Sequence, residues 1–138
     1  MTASRRLAAV VLRGIVILLL LLDSYGKMAE LAPVVEGSAR LAYPANTVFV
    51  IGFLEFCCIA LFAVPRTSVL GGLFLTGYLG GAVASHLRIG DPWFTHVLAP
   101  VYMAIVVWAG LLLSDHRIRA LIGRLRPTSV ATAHAITT

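Results

Sequence analysis

Four long apolar segments separated by short polar stretches dominate the chain. The clearest is residues 68–85, a run of eighteen positions without a charged side chain, which is the length at which a membrane-spanning helix becomes the favoured interpretation. Hydrophobic pattern and helix-breaking residues together predict four spans, at about residues 7–31, 45–64, 68–88 and 94–114. Because the connections are short, we expect an all-α four-helix transmembrane bundle with up-down-up-down topology.

A basic segment follows the last span. Residues 115–126 carry four arginines among apolar side chains, a pattern typical of a helix that lies on a membrane surface. Residues 128–138 are mostly Ala, Thr and other small or polar residues, so we expect this tail to be disordered. The sequence therefore predicts one membrane domain, residues 1–127, that ends in a surface helix and is followed by a disordered tail.

The composition excludes a soluble domain. Of the 138 residues, 59% are hydrophobic and 12% are charged, whereas charged residues make up about 25% of a soluble domain. The net charge of +5 does not indicate a nucleic-acid partner, because the basic residues flank the apolar segments. With both termini in the cytoplasm, eight of the eleven basic residues lie inside, so we predict a multi-pass protein in this orientation.

Ionisable residues inside the spans are the candidate site, because such residues are costly in a membrane and are usually functional. Glu55 lies ten residues into the second span, near the middle of the bilayer. It is either protonated, paired across helices with Lys27, His86 or Arg88, or hydrated by a cavity. Asp23 and Lys27 stand four apart, so they form either a structural ion pair or part of the site.

The predicted topology brings more polar side chains to the outer half of the bundle. The candidate ligand-binding residues are Asp23, Lys27, Glu55, Tyr78, His86, Arg88, His96 and Tyr102. The two histidines are suitable metal ligands, but no H-x-x-x-H or E-x-x-H spacing occurs, so we predict no metal site. Each histidine alone is more typical of an interfacial hydrogen bond. The chain has no phosphate-binding loop and no credible nucleophile constellation, and its catalytic residues and enzymatic status stay open.

Small residues mark two places in the spans. Gly77, Gly81 and Ser85 lie four apart on one face of the third span. This small-xxx-small spacing predicts that another backbone comes close, either inside the bundle or from a second copy of the chain. Cys57 and Cys58 are adjacent, about 3.8 Å apart at Cα, which is too close for an ordinary disulfide. We interpret them as core residues.

Several of these stretches resemble the DoxX-like family of small four-helix bacterial membrane proteins. The matching pieces are Glu55, the sequence VPRTSVLGGLFLTGYLGGAVASHLRIGDP at residues 64–92, and HVLAPVY at residues 96–102. The D-S-x-x-K element at residues 23–27 is similar to the corresponding part of the family, and the likeness extends over residues 12–125. The resemblance implies a bundle in the bacterial plasma membrane. It also implies an association with membrane redox, as in a thiosulfate:quinone oxidoreductase subunit or an oxidative-stress-linked membrane complex.

Three functional hypotheses follow. The first is a redox-associated accessory that binds a quinone-like or other lipophilic ligand, with its polar head between Glu55, His86, Lys27 and Tyr102. A quinone is then the possible cofactor. The second is a structural or assembly module that oligomerises through the glycine face and has no ligand chemistry. The third is a small transporter or channel, although four short helices would barely enclose a pathway without oligomerising.

Overall fold

A computed structural model describes residues 3–125, and these residues form helices without strands. The helices are α1 (Ala3–Met28), α2 (Ala32–Arg40), α3 (Ala45–Ala63), α4 (Ser68–Arg88), one π-helical turn (Trp93–Val97), α5 (Ala99–Ser114) and α6 (His116–Leu125). Helix α6 occupies the place of the predicted surface helix. The predicted disordered tail, residues 128–138, lies outside the described residues.

The four long segments form a closed ring in which each packs against two neighbours. Helix α1 packs on α3 and α5, and α4 packs on the same two helices. All four segments are long and apolar enough to cross a membrane. The predicted all-α bundle with up-down-up-down order is therefore confirmed. We call the end that carries both described chain ends the proximal end, and the end that carries α2 the distal end.

The proximal half is tightly packed. Phe62, Leu75 and Leu111 are fully buried there. A Cβ atom added to Gly71 would overlap the backbone of Phe62, so α3 and α4 touch backbone to backbone at this point. Arg13 reinforces the contact, since its Nη2 donates a hydrogen bond of 2.7 Å to the Phe62 carbonyl. Small residues thus allow close helix packing in this half.

Helix α1 ends earlier than the sequence pattern predicts. The prediction carries the first span to residue 31, but the helix ends at Met28 and Glu30 has a left-handed φ of 50°. The Leu31 amide bonds to the Gly26 carbonyl at 3.0 Å, and the Glu30 amide bonds to the Lys27 carbonyl at 3.2 Å. This is the Schellman arrangement. The sequence does not indicate it, because the left-handed position is normally a glycine and here is Glu30.

The other distal helix ends use the same arrangement. Ala42 after α2 has φ of 59°, and Gly90 after α4 has φ of 72°. The next residues, Tyr43 and Asp91, then bond back to the helix through their amides, at 3.0 and 3.1 Å respectively. Each cap therefore fixes the direction in which a polar side chain leaves the end of its helix.

The fourth span, which the sequence predicts over residues 94–114, is interrupted near its start. The chain makes a π-helical turn at Trp93–Val97 and starts α5 at Ala99. Pro100 explains the break, because proline has no amide hydrogen and fits only the first turn of a helix. The wider turn shifts the phase of the following residues, so that Met103 lines the interior while Tyr102 is 48% exposed on the outside.

Candidate functional site

A cavity of about 1110 Å³ occupies the distal half of the bundle. All four long helices contribute to its wall, and α2 and the loop after α4 contribute at its mouth. Most of the lining is apolar, with a few polar side chains at two levels. This combination is typical of a site for a small molecule with an apolar body and a polar group.

The inner level is a network centred on Lys27. Its ammonium donates to Asp23 Oδ2 at 2.5 Å, to Glu55 Oε2 at 2.8 Å and to the Tyr78 hydroxyl at 2.8 Å. Tyr78 in turn donates to Glu55 Oε2 at 2.9 Å. Of the states open to Glu55 from the sequence, the structure shows pairing with Lys27. All three ammonium protons are used, so Lys27 is held firmly between three helices.

Glu55 keeps one oxygen unused. Its side chain is 0% exposed and lines the cavity. Within residues 3–125, Glu55 Oε1 is the buried side-chain oxygen or nitrogen without a hydrogen-bond partner. Leaving a buried polar group unpaired costs about 1–3 kcal/mol, so such a group in a native structure asks for an explanation. Either a proton or a ligand atom could satisfy it.

The register of α1 against α3 places Lys27 beside Glu55. A Cβ atom on Gly52 would lie 2.6 Å from Lys27 Cβ and 3.0 Å from the Ser24 carbonyl oxygen. The Ser24 hydroxyl also donates to the Gly52 carbonyl at 2.8 Å. Glycine therefore allows the two helices to approach, and the hydrogen bond fixes their relative height one turn before Glu55.

The outer level is a histidine–aspartate pair at the distal mouth. His86 Nδ1 lies 2.6 Å from Asp91 Oδ2, and Arg40 Nη2 lies 3.7 Å from Asp91 Oδ1. The hydrogen bond with His86 lowers the pKa of Asp91 below the usual carboxyl range, and nearby cationic groups act in the same direction. The His96 ring lies 5.8 Å from the His86 ring, between centroids, so both imidazoles face one small region.

The two levels are too far apart to hold one small head group together. Tyr78 and His86 are eight residues apart on the same helix, which corresponds to about 12 Å along its axis. The predicted head-group position between Glu55, His86 and Tyr102 is therefore split by the structure. The inner level can hold a head group, while the histidines lie nearer the mouth.

Six of the eight predicted site residues line the cavity, namely Asp23, Lys27, Glu55, Tyr78, His86 and His96. Arg88 is exposed and donates to the Leu41 carbonyl at 2.5 Å. It ties α4 to the loop after α2 and does not itself line the cavity. Tyr102 points outward for the reason given above. A ligand-binding role for any of the eight stays a prediction.

Six polar residues of the lining are not among the predicted site residues, namely Ser38, Arg40, Tyr43, Ser85, Asp91 and Thr95. The Tyr43 hydroxyl lies 2.6 Å from Ser85 Oγ, although the spacing of small residues indicates only a packing role for Ser85. No single-helix period reveals this pair, because it joins a loop to α4. The I-G-D-P turn signal does mark Asp91, but only as a loop residue.

The glycine face does not pack inside the bundle, which is one of its two expected arrangements. No heavy atom lies within 4 Å of a Cβ built on Gly77 or Gly81, so no other backbone approaches them within the described part of the chain. Both glycines line the cavity instead. Cys57 and Cys58 are free thiols, as expected, and Cys58 also lines the cavity. Within residues 3–125, no group of three or more His, Cys, Asp or Glu side chains could hold a metal ion.

Comparison with known proteins defines the class. The four spans and the cavity lined with ionisable residues are those of a small helical membrane protein. Residues 11–110 match the DoxX-like family. The chain belongs to this family. Over 59 residues it is also 41% identical to a UPF0397 protein of Streptococcus gordonii, a match that covers 43% of the chain and 30% of that relative. No solved structure matches the chain.

Proposed function

We propose that this DoxX-like protein binds a quinone-like lipophilic molecule in the distal cavity and acts as an accessory of membrane redox chemistry. The observation that carries the proposal is Glu55, a fully buried carboxyl group with one unpaired oxygen, Oε1, that belongs to the lining of a cavity within a membrane-spanning bundle. As a carboxylate, this oxygen accepts a hydrogen bond from a quinol hydroxyl. As a carboxylic acid, it donates to a quinone carbonyl. One side chain therefore serves both redox forms.

The neighbours of Glu55 suit this task. Lys27 and Tyr78 both bond to the other oxygen, Oε2, so they fix the carboxyl plane and leave Oε1 for the ligand. A cation 2.8 Å from the carboxyl group also stabilises its ionised form after it gives up a proton. The network can therefore hold a head group and exchange one proton with it, while a redox partner supplies or removes electrons.

Titration of the protein in nanodiscs with decylubiquinone and decylubiquinol tests the proposal. Glu55→Gln should weaken quinol binding about tenfold, since a hydrogen bond to a charged group contributes about 1.5 kcal/mol or more. Tyr78→Phe should weaken it less, because it only loosens the carboxyl group. Tyr102→Phe is the matched control, since its hydroxyl lies outside the cavity lining, and it should leave binding unchanged.

Two results would contradict the proposal. One is unchanged affinity for both redox forms in Glu55→Gln and Tyr78→Phe. The other is an equal loss in Tyr102→Phe, which would indicate general partitioning into the lipid surface rather than occupation of the cavity.

A second candidate function is an assembly module without ligand chemistry. The observation that favours it is the exposed glycine face, where Gly77 and Gly81 have open space around them. A second copy of the chain could pack there by small-residue contact. Crosslinking in native membranes decides the question: Gly81→Leu should abolish an oligomer that uses this face and leave any other oligomer intact.

For orientation, we propose that both termini lie in the cytoplasm of a bacterial plasma membrane, so that the cavity mouth faces outward. Support comes from the excess of basic residues on the terminal side. Fluorescent-protein and alkaline-phosphatase fusions to the C-terminus test it. Fluorescence without phosphatase activity is expected, and the reverse pattern would contradict the orientation.

A further inference from the structure

The interface between α3 and α4 is closed at both ends. At the proximal end, Gly71 packs directly against the backbone of Phe62. At the distal end, the Tyr43 hydroxyl lies 2.6 Å from Ser85 Oγ, and Arg88 bonds to the carbonyl of Leu41 at 2.5 Å. These two bonds join the segment that leads into α3 to the last turns of α4. The helices are therefore fastened above and below.

Between these contacts the interface is open. Gly77 and Gly81 lie on successive turns of α4, line the cavity and have no heavy atom within 4 Å of an added Cβ. Leu54 on α3 and Phe74 on α4 also line the cavity, yet they are 55% and 52% exposed on the surface of the bundle. Residues that belong both to the lining and to the lipid-facing surface mark a lateral opening.

The back of this opening is polar. Tyr78 follows Gly77 directly and bonds to Glu55, whose Oε1 has no partner in the described structure. A molecule in the opening therefore has hydrocarbon at one end and the Glu55 carboxyl group, with its one unpaired oxygen, at the other. Water alone does not suit the apolar rim, and a wholly apolar molecule leaves Oε1 unpaired. An amphiphile with a hydroxyl or carbonyl head and an apolar tail satisfies both ends.

We propose that the slot between α3 and α4, bounded by Leu54, Phe74, Gly77 and Gly81, is a lateral portal through which a long-tailed amphiphile enters the cavity from the bilayer. Its head reaches Glu55 while its tail stays in the slot across the two glycines. The passage exists because Gly77 and Gly81 have no side chains to fill it. The chemistry of the head group rests on the proposed function, and the portal adds the route by which the molecule enters and the position of its tail.

Labelling of Cys58 tests the portal without any assumption about the ligand. Cys58 lines the cavity, is 6% exposed and lies one turn from Glu55 on α3. Its thiol adds across the double bond of a maleimide to give a stable thioether. In proteoliposomes of a Cys57→Ser background, N-dodecylmaleimide approaches from the hydrocarbon layer, and the labelled fraction is measured by mass spectrometry.

The double variant Gly77→Leu/Gly81→Leu fills the slot and should slow labelling by about tenfold or more. Both added side chains start in open space, and leucine favours helix over glycine, so the fold should persist. Gly80→Leu is the matched control. Gly80 is also exposed and free of neighbours within 4 Å, but it does not line the cavity, so its labelling rate should match that of the background.

A second variant guards against misfolding of the first. Phe74→Ala widens the slot and should speed labelling. Misfolding of the double variant cannot account for such a gain, provided that Gly80→Leu is labelled at the background rate. Equal rates in the background, the double variant and Phe74→Ala would overturn the portal. So would an absence of labelling in every form.

Crosslinking of the same variants detects the competing occupant. A dimer that forms in the background and with Gly80→Leu, but disappears with Gly77→Leu/Gly81→Leu, would assign the face to a second copy and overturn the portal. These results are independent of the quinol titration, which decides the proposed function by way of Glu55.

Discussion

The glycines of α4 are used in opposite ways in the two halves of the bundle. In the proximal half, Gly71 removes a side chain so that α3 and α4 can touch, and the core beside it is fully buried. In the distal half, Gly77 and Gly81 remove side chains where no neighbour approaches, and a cavity results. Glycines in α4 therefore accompany close contact in one half of the α3–α4 interface and open space in the other half.

The difference teaches what a small-residue motif can and cannot specify. A glycine permits close approach, but the approach happens only where the partner helix is held near. Near Gly71 the connection between α3 and α4 is short, and Arg13 bonds to the Phe62 carbonyl. Farther along, the bulky network of Lys27, Glu55 and Tyr78 occupies the bundle interior, and the space beside the glycines stays open.

The largest expected effect comes from removing the cation of the distal half. Lys27→Met leaves two carboxyl groups without their shared partner, one of them on the fully buried Glu55. Breaking a buried ion pair from one side costs about 3–5 kcal/mol, so the free energy of unfolding in detergent should fall by that order. Lys27→Met/Glu55→Gln should recover part of the loss. A single variant as stable as the wild type would show that the network does not hold the distal half together.

The comparison of the two glycine sites gives the next largest effect. Gly71→Ala should destabilise the protein by about 1–3 kcal/mol because the new methyl group meets the Phe62 backbone. Gly77→Ala should change stability by less than about 0.5 kcal/mol, since nothing lies within 4 Å of its Cβ. Chemical unfolding of both variants in the same detergent checks this. Equal effects would remove the distinction between the two halves.

A smaller effect is expected from single hydroxyl groups. Tyr78→Phe removes the bond to Glu55 and the acceptor for Lys27, and it should cost about 1 kcal/mol in unfolding free energy. Tyr102→Phe serves as the control, because Tyr102 is 48% exposed and lies outside the cavity. A similar loss from both would mean that the inner network contributes no more than a surface hydroxyl.

The smallest effect concerns pH at the cavity mouth. The pKa of Asp91 is lowered because His86 bonds to the carboxyl group, so this contact stabilises the fold at pH values above the usual carboxyl pKa. Its contribution is lost as the pH falls through the lowered pKa in the folded protein. The protection factors of the amides in the last turn of α4 should therefore fall in acid below pH 4 or so. Asp91→Asn should flatten this dependence, and an unchanged acid profile in that variant would contradict the assignment.

The sequence predicts the bundle well because each signal is local. The charge-free run and the Gly-Asp-Pro turn define Ser68–Arg88, and the structure has the same bounds. Glu55 and Lys27 stand out as charges inside apolar segments, and both line the cavity. Features that depend on one helix against another are harder to predict. The bond between Lys27 and Glu55 depends on the height at which Gly52 meets α1, and no period within a single segment encodes that height.

Other errors have equally specific causes. Helix α1 ends early because the backbone of Glu30 is left-handed, and no glycine at this position marks the helix end in the sequence. Pro100 and the π-helical turn before α5 shift the helical phase, so a prediction based on one continuous period places Tyr102 on the wrong side. The spacing of Gly77 and Gly81 indicates a smooth face, but it does not say whether that face meets a helix, a lipid or an empty space.

Photoaffinity labelling in membranes decides whether a quinone occupies the distal cavity. A long-tailed azidoquinone is illuminated with the protein in native membranes, and the modified residues are identified by mass spectrometry. We expect adducts on buried cavity residues such as Glu55 and Cys58, with loss of labelling when unlabelled quinone competes. Adducts confined to lipid-facing residues such as Leu18 and Leu22, or labelling that excess quinone does not reduce, would contradict it.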